Sequence, residues 1–183
     1  MRILGISGSL RRGSHNRALL RAAAAALPPG ATLEVWDELA ALPAYDEDLD
    51  RDPVPEIVAR LRAALADADA VLIATPEYNA SLPGALKNAL DWASRPWPDN
   101  PLRGKPVAVI GSSTGLFGAV WAQAEVRKVL KTIGADVLEA ELAVGLADDA
   151  FAEDGALADP GMQASLAEIV RDLAASETVG VAA

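Results

Sequence analysis

The sequence predicts an α/β fold, a doubly wound five-stranded parallel sheet with helices on both faces. Two observations support this prediction. Five short apolar runs alternate with segments of helical periodicity. Whether a run is continuously apolar or alternates with polar residues distinguishes interior strands from edge strands. A chain of 183 residues has the size of one domain with a full core, so we expect a single domain over residues 1–183, with a frayed tail at about 177–183.

The apolar runs differ in a way that orders the strands. The first, third and fourth are almost continuously apolar, as in strands that helices cover on both faces. The second and fifth alternate, which indicates edge strands with one wet face. This arrangement fits the order 2-1-3-4-5 of a flavodoxin-like sheet, although other orders remain possible. The runs are RILGIS (2–7), TLEVWD (32–37), AVLIAT (70–75), PVAVIGS (106–112) and DVLEAELAV (136–144).

Five helices are predicted from apolar residues three and four positions apart. Ser14 could cap the first helix, and Ser81 is expected to cap the third, with Pro83 in its first turn. Gly134 is expected to end the fourth helix, after several cations in its last turns. The apolar faces fall within residues 18–27, 54–68, 86–93, 122–133 and 162–173.

The composition excludes several classes of function. The chain has no cysteine, which excludes disulfides, thiolate catalysis and iron–sulfur clusters. Its formal net charge of -10, with no basic stripe, argues against nucleic-acid binding. The apolar runs are too short for a signal peptide or a membrane helix. We therefore expect a cytoplasmic protein that binds neither nucleic acid nor membrane.

Ligands of an open parallel sheet bind outside the carboxyl ends of the strands, at the point where the strand order reverses. That rule selects three loops, GSLRRGSHN (8–16), PEYNASLPG (76–84) and SSTGLFG (112–118). Residues 111–115, at the start of the third loop, match the pattern G-x-S-x-G of a hydrolase nucleophile, with Ser113 as the serine. In such hydrolases the histidine follows the serine, whereas the only histidine here, His15, precedes it. We therefore expect a ligand-binding loop or a flexible connection here.

The first loop has the chemistry of an anion site. The glycine spacing excludes a dinucleotide fingerprint, and Ser14 stands where a P-loop has lysine. Hydroxyls, an amide and backbone N–H groups at a helix start suit a phosphate that needs no metal. From the residues alone, an anion site and a hydrophilic turn capped by Ser14 are equally well supported. His15 is expected in a loop or capping role rather than as a base. The candidate phosphate ligands are Ser9, Arg11, Ser14 and Asn16.

Three stretches together carry a family resemblance. The first loop, the segment LPAYDEDLD (42–50) and TPEYNASLPGALKNALDW (75–92) resemble the NAD(P)H-dependent FMN reductase family, which includes quinone, azo-dye and chromate reductases. The resemblance covers most of residues 2–145. It implies non-covalent FMN, NADPH or NADH as co-substrate, and assembly into a homodimer or homotetramer. The third loop departs from the family, because many relatives carry a more glycine-rich run.

The resemblance also implies how FMN is held. The phosphate would lie in the first loop, the second loop would line the isoalloxazine ring largely through backbone groups, and the third would border the ring from the other side. Lys87 and Asn88 are interpreted as residues that hold the loop, and Trp92 and Trp97 as interface or local core. The implied contacts are Ser9, Arg11, Ser14, His15, Asn16, Pro76, Glu77, Tyr78, Asn79, Ser112, Thr114 and Gly115.

The implied reaction is hydride transfer from NAD(P)H to FMN, followed by two-electron reduction of a small acceptor such as a quinone or free flavin. Because the flavin carries the chemistry, no catalytic side chain and no metal are expected. The alternative is a flavodoxin-like carrier that exchanges electrons with protein partners. An FMN-free regulatory domain is a third interpretation, which a protein that gains no flavin signal would support.

Overall fold

The computed structural model describes residues 1–176, in which strands and helices alternate as predicted. The expected frayed tail lies outside the described residues. Two short 3-10 turns, Leu39–Ala41 and Glu47–Leu49, interrupt the long connection after the second strand. The strands are β1 (Arg2–Ser7), β2 (Thr32–Trp36), β3 (Ala70–Thr75), β4 (Pro106–Ser112), β5 (Asp136–Val137) and β6 (Ala143–Val144). The helices are α1 (His15–Ala25), α2 (Glu56–Asp67), α3 (Gly84–Ala93), α4 (Val120–Ile133) and α5 (Pro160–Ala175).

The strand order β2-β1-β3-β4-β5 confirms the predicted topology. All the strand pairs are parallel. Every residue of β3 and β4 is buried, whereas the first four residues of β2 alternate between exposed and partly buried. The order reverses between β1 and β3, so the carboxyl ends of these two strands open a crevice.

The fifth predicted strand, 136–144, is wrong in its extent. It is divided into β5 and β6, which both pair with β4. Val107 pairs with Val137 and Gly111 with Ala143. An interval of four residues on β4 therefore lies opposite an interval of six residues between β5 and β6. The two extra residues cannot stay in the ladder, and the chain loops out between β5 and β6.

The looped-out segment turns its carboxylates toward α4. Arg127 pairs with Glu141 at 2.8 Å, and Lys131 pairs with Glu139. The hydrogen bond and charge of the Lys131 ammonium lower the pKa of Glu139. The alternation that predicted a wet face is therefore explained by contacts with helix cations and solvent rather than by a continuous edge strand.

Two hydrophobic clusters cover the two faces of the sheet. Helices α1 and α5 pack on one face, with Leu20 and Leu166 in that cluster. Helices α2, α3 and α4 pack on the other, with Leu61, Leu86 and Leu130. Each of these leucines is at most 1% exposed, and burying one contributes about 2 kcal/mol. No helix in the described part of the chain is long and apolar enough to cross a membrane.

Two predicted helix ends are confirmed. Ser14 caps α1, because its Oγ accepts the backbone N–H of Arg17 at 3.2 Å. Gly134 ends α4 with a φ of 99°, a left-handed conformation that glycine adopts without strain. The start of α1, where Ser14 lies, faces the crevice.

The third helix begins later than predicted, so the prediction that Ser81 caps it is wrong. Helix α3 starts at Gly84, and Pro83 occupies the capping position. Ser81 instead exchanges two backbone hydrogen bonds with Tyr78, and its Oγ donates to the carboxylate of Glu125. Because the hydroxyl is held by α4, it does not cap the start of α3.

Helix α3 also anchors the LPAYDEDLD segment. Trp92 is fully buried, packs edge to face on Tyr45 with ring centroids 4.9 Å apart, and donates from Nε1 to the Pro43 carbonyl at 2.9 Å. Asn88 accepts the N–H of Tyr45 and donates to Pro43, both at 2.8 Å. Of the two interpretations, Trp92 therefore belongs to the local core. The prediction that Lys87 and Asn88 hold the second loop is wrong, because Asn88 holds Pro43 and Tyr45 instead and Lys87 pairs with Asp91 of the same helix.

Candidate active site

A cavity of about 210 Å³ opens at the carboxyl ends of the interior strands, where the switch-point rule places a ligand. All three predicted loops contribute to its walls. The lining residues are Ser9, Arg11, His15, Asn16, Pro76, Glu77, Tyr78, Ser112, Ser113 and Thr114. Nine of the twelve predicted residues line the cavity, whereas Ser14, Asn79 and Gly115 lie in the same loops outside its lining.

The first loop presents backbone N–H groups at the start of α1. The Ser14 cap satisfies the N–H of Arg17. The N–H groups of His15 and Asn16, in the first turn, have no acceptor inside the helix. Because they carry the positive end of the helix dipole, an anion in front of them is stabilised.

Arg11 supplies the positive charge of this loop. Its side chain is exposed, and its guanidinium donates to the Gly13 carbonyl at 2.8 Å. Its backbone N–H donates to Oγ of Ser9 at 3.4 Å, and Ser9 is only 6% exposed. The neighbouring Arg12 does not line the cavity. Arg11 is therefore the arginine that lines this cavity.

Asn16 fastens α1 to the end of β4. Its Nδ2 donates to the Ser112 carbonyl at 2.9 Å, and its Oδ1 accepts the Ser112 N–H at 3.0 Å. The two residues are 2% and 1% exposed, so this pairing is protected from water. One amide hydrogen of Asn16 remains for a ligand, while the rest of the side chain links the first loop to the third.

A tight turn orders the second loop. Tyr78 and Ser81 exchange backbone hydrogen bonds of 3.0 and 3.1 Å. Asn79 and Ala80 lie between them with φ values of 54° and 58°, and positive φ at both central residues is the mark of a type I′ turn. The turn leaves the Tyr78 side chain 53% exposed at the rim of the cavity.

Glu77 joins the second loop to α4. Its Oε2 accepts the N–H groups of Trp121 and Ala122, both at 3.1 Å. Helix α4 has no side-chain cap of its own, because Ala119 occupies the capping position. A carboxylate at a helix N-terminus also gains from the helix dipole. The side chain of Glu77 therefore joins the second loop to the start of α4 at the edge of the cavity.

We expect Glu77→Ala to lower the free energy of unfolding by about 1–2 kcal/mol, because two helix N–H groups lose their acceptor. Glu77→Gln keeps an oxygen acceptor and should lose roughly half as much. Chemical denaturation of both variants measures the difference. Wild-type stability in both would show that α4 does not depend on this cap.

The third loop packs closely on β6 and the residue after it, with no room for a side chain at two glycines. A Cβ on Gly118 would lie 2.3 Å from the carbonyl carbon of Ala143, and one on Gly145 would lie 2.2 Å from the carbonyl oxygen of Leu116. Gly118 also has a φ of 57°. Backbone hydrogen bonds between the two segments complete the contact. The third loop is thus fixed by backbone packing.

Sequence reasoning misses a fourth segment at the site, residues 145–151. Asp148 Oδ1 lies 3.0 Å from Nε2 of His15, and the Phe151 ring stacks on the imidazole with centroids 6.3 Å apart. The paired residues are 133 positions apart, and an aspartate in an acidic loop gives no signal for such a pair. His15 is held in place from the far end of the chain.

Two larger grooves lie away from the interior strand ends. One of about 460 Å³ runs along edge strand β2 beside α2. The other, of about 340 Å³, lies between α3 and α4 and borders Trp97, which is 58% exposed. Lys105, near the amino end of the sheet, donates to the Ala68 carbonyl, and burial lowers its pKa. None of these features adjoins the crevice, so the smaller cavity is the candidate site.

Proteins of similar sequence and structure are named as reductases or oxidoreductases. An NAD(P)H-dependent FMN reductase of Pseudomonas aeruginosa is 45% identical over 160 residues, which cover 87% of this chain and 85% of that protein. A 2-hydroxy-1,4-benzoquinone reductase of Burkholderia is 46% identical over 70% of this chain and 69% of its own. The flavoenzyme NAD(P)H:(acceptor) oxidoreductase of Paracoccus denitrificans superposes with a TM-score of 0.82 at 35% identity, over 94% of each chain.

The fold and the site together define a flavodoxin-like oxidoreductase. The chain belongs to the NADPH-dependent FMN reductase family, whose sequence model matches residues 1–149. This membership confirms the predicted enzyme class, an NAD(P)H-dependent oxidoreductase, and the predicted cofactor, FMN.

The residues at the site fit FMN. Oγ of Ser112 is buried without a hydrogen-bond partner in the described part of the chain, although Ser112 lines the cavity. A buried hydroxyl of this kind calls for a polar ligand. The free N–H groups at the start of α1 suit a phosphate. Within residues 1–176, no three histidine, aspartate or glutamate side chains cluster as metal ligands.

Proposed function

We propose that FMN binds across the three loops, with its phosphate on the first loop and its isoalloxazine ring between the second and third. The observation that carries the proposal is the anion-binding start of α1, which adjoins a cavity at the strand ends. The phosphate would meet Arg11 and the N–H groups of the first loop, and the ring would meet the second and third loops, all of which contribute to the same cavity.

In this proposal, hydroxyls and backbone groups hold the phosphate. The Oγ atoms of Ser9 and Ser14 each accept a backbone N–H, so both hydroxyl hydrogens are free to donate to phosphate oxygens. The N–H groups of His15 and Asn16 add two donors, and Arg11 adds a positive charge. The phosphate is thereby bound without a metal ion.

Backbone groups of the second and third loops flank the ring. Ser112 Oγ supplies a free donor beside it. Donors at the edge of the ring stabilise negative charge that develops there on reduction. The proposed ring contacts are Pro76, Glu77, Tyr78, Asn79, Ser112, Thr114 and Gly115.

FMN, when bound, accepts a hydride from NADPH or NADH and passes two electrons to a small acceptor. The chain binds and orients the reactants, so no side chain has to act as a nucleophile. A quinone is the acceptor class that similarity favours, because 39% identical proteins of Pseudomonas putida and Escherichia coli are quinone reductases. The names of these relatives favour a reductase over an electron carrier that serves protein partners.

Oxidation of NADPH and NADH by the FMN-loaded protein, with and without 1,4-benzoquinone, tests this proposal. We expect ping-pong consumption of nicotinamide that requires both FMN and the quinone. An electron carrier would oxidise almost no nicotinamide under these conditions, and that result would remove the reductase assignment for this acceptor class.

We also propose that the chain acts as a single domain in a cytoplasmic homodimer or homotetramer. The two hydrophobic clusters share one sheet, which supports one domain. The groove between α3 and α4, with exposed Trp97, offers an apolar surface for self-association. Reduced nicotinamide nucleotides are cytoplasmic metabolites, which supports that location. Light scattering measures the assembly, and a monomer would contradict it.

A further inference from the structure

The imidazole of His15, the chain's only histidine, lines the cavity at its first-loop end. Its Nε2 lies 3.0 Å from Oδ1 of Asp148. An ionised carboxylate only accepts hydrogen bonds, so Nε2 has to carry the hydrogen of this pair. Nδ1 is then the ring nitrogen left for a ligand, and in a neutral imidazole it is an acceptor. Asp148 therefore selects the tautomer of His15.

The segment that carries Asp148 is fixed against the rest of the site. The N–H of Ala147 donates to the carbonyl of Ser113, a residue of the cavity lining, at 3.1 Å. Phe151 stacks on the imidazole with ring planes 6° apart and packs against the hydrophobic cluster of α1 and α5. A side chain oriented before its ligand arrives loses less binding free energy to ordering. His15 is oriented in this way from two directions.

The other charged and titratable side chains that border the cavity are Arg11, Glu77 and Tyr78. The carboxylate of Glu77 is held by N–H groups at the start of α4, and Tyr78 lies exposed at the rim. Arg11 is a cation and attracts the same anions as the start of α1. Among the described residues, Asp148 is the carboxylate in contact with the imidazole.

We propose that Asp148 is a positioning residue for the cofactor: it holds His15 so that Nδ1 meets the FMN phosphate, and FMN binds together with one proton. This inference rests on the proposed function and adds a contact and a pH dependence to its phosphate site. A dianionic phosphate has only acceptors, so it makes no hydrogen bond with the lone pair of Nδ1. A proton taken from solvent turns Nδ1 into a donor. The imidazolium then lies between two anions, the carboxylate of Asp148 and the phosphate.

Proton uptake makes the affinity for FMN depend on pH. Above about pH 7 a phosphate monoester is a dianion and a free imidazole is mostly neutral, so the proton has to be bound along with FMN. Raising the pH then favours the FMN-free protein, and the affinity falls by up to about tenfold per pH unit. Riboflavin lacks the phosphate and needs no such proton. The ratio of the two affinities cancels the titration of the flavin ring and of Tyr78, which both ligands share.

Imidazole NMR of the nitrogen-15-labelled protein at about pH 8, where a free imidazole is mostly neutral, tests the inference. One histidine gives one set of ring signals. We expect hydrogen on Nε2 alone in the FMN-free protein and in the riboflavin complex, and hydrogen on both ring nitrogens in the FMN complex. A ring that stays neutral when FMN is bound would overturn the inference, and so would hydrogen on Nδ1 in the FMN-free protein.

Flavin titrations of variants separate the position of the imidazole from charge. Loss of Asp148 removes a negative charge beside an anion site, so charge alone would tighten FMN binding. We expect the opposite, with Asp148→Ala about fivefold weaker for FMN at neutral pH, because the imidazole is no longer held. Asp148→Asn keeps an acceptor for Nε2 and should recover part of this loss. His15→Gln should abolish the pH dependence of the affinity ratio. Asp149→Ala removes the adjacent exposed carboxylate and should behave as the wild type.

Two titration results would overturn the inference alone. One is a wild-type preference for FMN over riboflavin that stays constant from about pH 7 to about pH 8.5, a range in which free imidazole is mostly neutral. The other is an Asp148→Ala protein that binds FMN as tightly as the wild type. The Asp148 side chain is 72% exposed, so this variant should fold, which thermal unfolding checks. Equal wild-type affinities for FMN and riboflavin at every pH would instead refute the proposed phosphate site, so the two failures are distinguishable.

Discussion

Gly145→Ala is expected to destabilise the protein by about 3 kcal/mol and to weaken FMN binding. A Cβ at this position would lie 2.2 Å from the carbonyl oxygen of Leu116 and 2.8 Å from its carbonyl carbon. Both atoms belong to the backbone, so no side-chain rotation relieves the overlap. The third loop would have to leave β6, and Thr114 would move with it.

Gly84→Ala is the matched control, because a Cβ on Gly84 meets nothing within 4 Å. Its position at the start of α3 favours alanine, so its stability should equal or slightly exceed that of the wild type. Thermal unfolding and a fluorescence titration with FMN measure both variants. A Gly145→Ala protein as stable as the control would contradict the close packing of the third loop on β6.

Arg11→Ala combined with Ser14→Ala is expected to weaken FMN binding about hundredfold, since a charged and a hydroxyl donor to the phosphate are both lost. Riboflavin lacks the phosphate, so its affinity should not change. The ratio of FMN to riboflavin affinity, from titrations of flavin fluorescence, therefore isolates the phosphate contribution.

Two controls accompany this variant. Arg12→Ala removes an adjacent exposed arginine that does not line the cavity, and should leave FMN affinity nearly unchanged. Ser14→Ala also removes the cap of α1, which costs about 1 kcal/mol of stability, so the folded fraction is measured alongside. Equal losses for FMN and riboflavin would place the phosphate elsewhere, and no loss for either would reduce the loop to a simple turn.

The sheet order was predictable because strands buried on both faces have more continuously apolar sequences than edge strands. The run AVLIAT is apolar up to its final threonine and forms β3, in which every residue is buried. The run TLEVWD alternates and forms β2 at the edge. The distribution of apolar residues indicates which faces of a strand are covered by helices, and edge strands 2 and 5 fit the order 2-1-3-4-5 that the structure shows.

Register and turn geometry were not predictable in the same way. The division of residues 136–144 depends on two extra residues between Val137 and Ala143, opposite β4, and alternation continues through such a bulge. Ser81 has the chemistry of a helix cap, yet the turn that it closes with Tyr78 and its contact with α4 decide its role. These outcomes depend on tertiary contacts that local patterns do not encode.

The loops of the site were predictable from their position and residue types, but the tasks of individual side chains were not. Asn16 holds Ser112, and Glu77 caps α4. The contact of His15 with Asp148 joins residues from distant parts of the chain. Each of these contacts forms only when the strands bring the loops together, so the fold has to be known first.

A crystal structure of the protein with FMN tests the central claim most directly. We expect the phosphate within about 3 Å of Ser14 Oγ and of the His15 backbone N–H, with the isoalloxazine ring between the second and third loops. A phosphate bound elsewhere, such as in the groove along β2, would contradict the claim that the start of α1 is the FMN-phosphate site.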